Sequence, residues 1–118
     1  MISHEESKIQ RTCVQWFRAT HKDLTKNLIA IPNGLLTSPT QARIAKAEGL
    51  TAGASDLVLF CPNANYHALC IEMKTGSGRQ QPTQKEWQAA VESFGYKYVI
   101  IRSVDGFISE INSYLLGI

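Results

Sequence analysis

At 118 residues, with 44% hydrophobic and 19% charged side chains, the chain has the size and makeup of one compact folding unit over residues 1–118, with a proper core and room for one site. A formal net charge of +2 excludes a strongly basic nucleic-acid binder, although it permits DNA as a partner. Cys13, Cys61 and Cys70 lack C-x-x-C spacing, which argues against a zinc knuckle, and their apolar surroundings suit reduced, buried thiols.

The N-terminal MISHEESKIQ is too polar for a signal peptide, and no apolar run reaches membrane-spanning length. The expectation is a cytoplasmic protein without a membrane partner, in the host cytoplasm if a virus encodes it. Residues 3–20 read as a helix: Ser3 with Glu6 makes the capping-box pattern, and Ile9, Cys13, Trp16 and Phe17 follow helical spacing. A short strand at 28–31 ends at Pro32-Asn33-Gly34, a turn signal. Residues 40–48 read as a second helix stopped by Gly49.

Two strands follow, 56–61 (DLVLFC) and 66–74 (YHALCIEMK), joined by a turn at 62–65. The Gly-containing loop 75–81 leads to a helix that begins at Pro82 and runs to about Phe94, with Gly95 ending it. A strand at 96–102 and an amphipathic helix at 104–116 complete the order α-β-α-β-β-α-β-α. Such an order packs as a central mixed sheet flanked by helices, an α/β fold.

The chemistry concentrates in Gly53-x-x-Asp56 and Glu72-x-Lys74. If the hairpin turn is centred near Asn63 and Ala64, Asp56 lies opposite residue 71 or 72. Glu72 and Lys74, two apart, share one face of their strand, while Ile71 and Met73 point the other way. Two carboxylates and an ammonium therefore converge at one end of the hairpin. Such a pair of acids suits Mg²⁺, a hard cation with oxygen ligands, and a lysine beside it suits phosphodiester hydrolysis. A solvated salt bridge is the competing explanation of an E-x-K triplet. Its setting in two otherwise apolar strands opposes that explanation, because charges there need a partner or a metal.

Glu6 and Gln84 are accessory candidates. Helix capping competes for Glu6, and a plain exposed helical glutamine competes for Gln84. The three histidines have no motif spacing, and Trp16 and Trp87 are spaced as packing residues. No GxxxxGK[ST] stretch occurs, which gives no reason to expect a nucleotide cofactor.

An ordered set of motifs runs through nearly the whole chain. It comprises Glu6-x-x-x-Gln10, Ile31-Pro32-Asn33-Gly34, Lys46-Ala47-Glu48-Gly49-Leu50-x-Ala52-Gly53-x-x-Asp56-Leu57, Glu72-x-Lys74, Gly78-Arg79 and Pro82-x-Gln84-Lys85-x-Trp87. With this set the chain resembles the VRR-NUC family, the virus-type replication-repair nucleases, in its stand-alone form. The resemblance implies a restriction-endonuclease-like core and a PD-(D/E)xK site. Asp56, Glu72 and the Met73 backbone carbonyl would hold Mg²⁺ or Mn²⁺, Lys74 would be the catalytic lysine, and Glu6 and Gln84 would complete the site. Asn33, Arg79 and Lys85 would meet DNA. Ser55 stands where the family often has Pro, Gln80-Gln81 where it commonly has Leu-Ser, and Leu35-Leu36 where a second Gly and basic residues are usual.

Stand-alone members look like Holliday-junction resolvases. That implies a structure-specific endodeoxyribonuclease and a homodimer, joined through Leu35-Leu36 or helix faces, because paired cuts in a four-way junction need two symmetry-related sites. The alternatives are a less selective nickase or restriction-like enzyme, a non-catalytic DNA-binding module of the same fold, and an α/β scaffold with a coincidental salt bridge.

Overall fold

The computed structural model describes residues 3–32 and 38–117. In chain order these form α1 (His4–Thr20), a 3-10 turn (Lys22–Asn27), β1 (Leu28–Ala30), α2 (Pro39–Ala47), β2 (Leu57–Leu59), β3 (Leu69–Met73), α3 (Pro82–Glu92), β4 (Lys97–Ile101) and α4 (Val104–Leu116). The expected element order is borne out, with the 3-10 turn as an addition. The strands form one mixed sheet in the order β1-β2-β3-β4. The first two pairings are antiparallel and the third is parallel. A parallel neighbour requires a crossover, and α3 supplies it.

Alternation along the strands divides the core in two. Leu57, Leu59, Leu69, Ile71 and Met73 face Cys13 and Phe17 of α1 and Phe107, Ile111 and Tyr114 of α4, all buried. Val58, Cys70 and Tyr98 face the other way, where Trp87 and Val91 of α3 cover them. Each fully buried Leu, Ile or Phe contributes about 1.5–3 kcal/mol, so the α1/α4 side, with more such residues, is the stronger half of the core. Trp16 and Trp87 pack at the margins of these two clusters, as packing residues do. Cys13, Cys61 and Cys70 are free and buried.

Several boundaries differ from expectation. β2 and β3 are shorter than 56–61 and 66–74, so nine residues, 60–68, connect them rather than a four-residue turn. Asn63 organises that connection: its Oδ1 accepts from the N–H groups of Asn65 and Tyr66 at 2.9 and 2.8 Å. A side chain that satisfies turn amides in this way competes with the strand ladder. The 3-10 turn went unforeseen because 22–27 (KDLTKN) has no apolar periodicity and buries no residue.

Candidate active site

Strand pairing brings the two acids together. Leu57 pairs with Ile71, which carries on to place Asp56 opposite Glu72 just past the end of β2. Asp56 is held on two sides. Its backbone carbonyl accepts from Ile31 N–H at 2.9 Å, and its Oδ2 accepts from Met73 N–H at 2.7 Å. The second distance is that of a charge-assisted bond, which fixes the carboxylate rotamer. Lys74 N–H donates to Ile101 in β4, so by strand alternation the N–H and carbonyl of Met73 both face the β2 side, toward Asp56.

Glu72 lies on the α3 face of the sheet and is only 3% exposed. Its Oε2 accepts from Gln84 Nε2 at 3.1 Å, while its Oε1 is buried and finds no partner among the described residues. Burial pushes the Glu72 carboxyl up, and the adjacent Asp56 charge pushes it further, to about 8. The Asp56 carboxyl is also raised, chiefly by burial, against the pull of the Met73 N–H. Two crowded acids, one with a bare buried oxygen, form a site short of positive charge.

These groups line one cavity of about 330 Å³ together with Glu6, Lys46, Lys74, Gln84 and the loop Leu50–Ala54. At roughly 30 Å³ per water this admits a hydrated ion beside a phosphate group. The oxygen donors fit a hard divalent cation: Asp56 and Glu72 with one or two carboxyl oxygens each, and the Met73 carbonyl on the same side. Glu6 lines the same cavity and brings a third carboxyl group to its wall.

Glu6 performs two tasks. Its Oε1 accepts from Ser3 N–H at 3.3 Å in the capping box, and its Oε2 accepts from Thr75 Oγ1 at 3.4 Å at the cavity wall. Glu6 thus caps α1 and lines the cavity at once. Gln84 is more constrained than an exposed helical glutamine. Its Oε1 accepts from Gln81 N–H at 2.7 Å at the start of α3, which leaves Nε2 to serve Glu72. The amide orientation follows from the backbone partner, since an N–H can bond only to the oxygen.

Replacing Gln84 by Ala is expected to lower metal-dependent cleavage about 10- to 100-fold, the usual cost of removing a group that orients a metal ligand. The loss would show as a higher metal concentration at half-activation, measured by titrating Mg²⁺ at fixed DNA. An unchanged titration would mean that Gln84 only caps the helix.

The remaining expected residues are placed differently. Arg79 and Lys85 are exposed, on the loop after β3 and on α3, and neither lines the cavity. Asn33 and the Leu35-Leu36 pair lie outside the described residues. Lys46 and Thr83 line the cavity although sequence reasoning assigned them no role. Lys46 sits in the last turn of α2, and its signals in the sequence were that position and its place at the head of the motif that leads to Asp56.

The VRR-NUC domain model matches residues 2–105. A solved structure described as a VRR_NUC domain protein superposes with a TM-score of 0.84 at 26% sequence identity, covering 99% of this chain and 93% of that one. No curated protein matches the chain. No helix among the described residues is long and apolar enough to cross a membrane. A family match over most of the length, and the same fold in a relative of similar extent, lead to one conclusion: the chain belongs to the VRR-NUC family, nucleases of the PD-(D/E)xK type.

Proposed function

We propose that this chain is a metal-dependent endodeoxyribonuclease acting on branched DNA in the manner of a Holliday-junction resolvase, as a homodimer. The observation that carries the hydrolytic part is the bare, buried Glu72 Oε1 beside Asp56 and Lys74 in one cavity. Asp56, Glu72 and the Met73 carbonyl would hold Mg²⁺ or Mn²⁺, which supplies Lewis acidity and an acidified water when bound. The chain's own groups do the rest. Met73 N–H fixes Asp56, and Gln84 fixes Glu72. Lys74 places an ammonium where charge develops on the attacked phosphate. A binding module gains nothing from paired carboxylates turned toward phosphate, which disfavours the non-catalytic reading.

The preference for branched DNA rests on the likeness to stand-alone family members and on symmetry, since two equivalent strands call for two equivalent sites. Arg79 and Lys85, exposed on the loop and helix that follow Lys74, would meet the DNA backbone, and Asn33 would join them. The test is a panel of four-way, flap and linear DNAs at equal concentration, with Mg²⁺ or with excess EDTA. Paired nicks in the four-way junction and none in EDTA are expected. Linear duplex cut as fast as the junction would leave a less selective nickase, and cleavage surviving in EDTA would remove the metal from the mechanism.

A further inference from the structure

Lys46 stands apart from the residues that the hydrolytic reading uses. It reaches the cavity from α2, whereas Asp56, Glu72 and Lys74 come from the sheet. α2 buries no residue fully, and its Ala42 and Ala45 are half-buried, so the helix packs lightly. Among the described residues the salt bridge within 4 Å is Lys97–Glu110, so neither Lys46 nor Lys74 is tied to an acid. Lys46, with no acid within 4 Å among the described residues, thus lines the same cavity as Glu6, Asp56 and Glu72, three groups that repel an incoming phosphodiester.

The simplest competing explanation is local. A lysine in the last turn of a helix interacts favourably with the helix dipole, an effect of about 0.3–1 kcal/mol. That accounts for a lysine at this position, but not for its place in the cavity wall.

We propose that Lys46 grips a backbone phosphate flanking the one under attack, and so sets the path of the DNA strand across the carboxylates. This rests on the nuclease reading. Lys74 serves the reacting phosphate from the end of β3, and Lys46 serves its neighbour from a separate wall beyond the Leu50–Ala54 loop. Lys46 is a binding and positioning residue with no part in the bond-breaking step.

The experiment compares Lys46→Ala, Lys46→Arg and a control, Lys22→Ala. Lys22 follows the far end of α1, a 17-residue helix and so about 25 Å long, whose first turn carries Glu6. Binding of a labelled duplex is followed by anisotropy in EDTA between 50 and 200 mM KCl, and steady-state cleavage is followed in Mg²⁺. Loss of one phosphate contact lowers the slope of log K against log salt by about 0.9. Lys46→Ala is expected to show that drop with a several-fold higher KM and a nearly unchanged kcat. Lys46→Arg should retain the wild-type slope, and Lys22→Ala should match wild type. A Lys46→Ala slope equal to wild type, or a fall in kcat without a change in KM, overturns the assignment while wild-type cleavage keeps the nuclease reading standing. A wild type that neither binds nor cuts DNA overturns both.

Discussion

Glu72→Gln is expected to abolish cleavage, by a thousandfold or more, and to make the metal-free protein more heat-stable at pH 8 to 9. The first effect follows from the metal argument. An amide is a poor ligand for a hard cation, and a thousandfold loss corresponds to about 4 kcal/mol of transition-state stabilisation. Asp56→Asn should give a loss of similar size, because it removes the other carboxylate of the pair. The second effect separates this account from simple damage to the fold. Glu72 is buried, its Oε1 lacks a partner, and its carboxyl is pushed up to about 8 from an ordinary 4.5. A group whose folded-state pKa is raised favours the folded state while protonated. Its contribution is fully present below about pH 4.5 and is lost as pH rises through 8.

The melting temperature of the metal-free wild type should therefore fall between pH 5 and pH 8.5, and the fall should be shallower in Glu72→Gln. The substituted amide keeps an oxygen for Gln84 Nε2 and gains an N–H group for the bare position. Adding Mg²⁺ at pH 8 should restore the wild-type melting temperature and leave the variant unmoved, since ligand binding stabilises only the state that binds. Scanning fluorimetry across pH, with and without Mg²⁺, reads all of these. Equal pH profiles for the two proteins would show that Glu72 is not the strained acid of the site.

That Asp56 falls opposite residue 71 or 72 was legible because strand geometry has a period of two and a hairpin has a centre, and the observed register makes the partner Glu72. Few residue types suit DLVLFC and ALCIEMK, so the register followed from the turn. The division of Glu72 and Lys74 from Ile71 and Met73 was legible for the same reason. The strand ends were not, because the Asn63 side chain takes turn amides that a ladder would otherwise use. The bond from Gln84 to Glu72 joins residues in different elements, and no local pattern announces it. Lys46 stayed without a role because a lysine in an exposed helix is ordinary, and its place beside the acids appears only when α2 is set against the sheet.

Gly53→Ala is expected to cost more than any other glycine substitution in the described chain, in stability and in cleavage together. Gly53 has φ +87°, and a Cβ there would lie 2.2 Å from the Thr83 carbonyl oxygen and 2.9 Å from the Gln84 nitrogen. Both neighbours are backbone, so no side chain can swing away. The left-handed conformation costs an alanine roughly 1–2 kcal/mol, and overpacking adds typically 1–3 kcal/mol. For a domain of this size the sum amounts to a fall of roughly 10–20 °C in melting temperature. The contact also joins the two halves of the site: Asp56 lies three residues after Gly53, and Gln84 directly follows Thr83. Relief of the overlap must move the loop off α3 or the first turn of α3 off the loop. A displacement of about 1 Å can cost a hundredfold in rate. Gly49→Ala is the control, because Gly49 has φ +112° but nothing within 4 Å of its Cβ position. That variant should suffer only the backbone strain and keep its cleavage rate. Measuring both at 10 °C, after circular dichroism has established that each is folded, separates misplacement from unfolding. A Gly53→Ala protein as stable and as active as Gly49→Ala would show that the seam between the loop and α3 does not hold the site together.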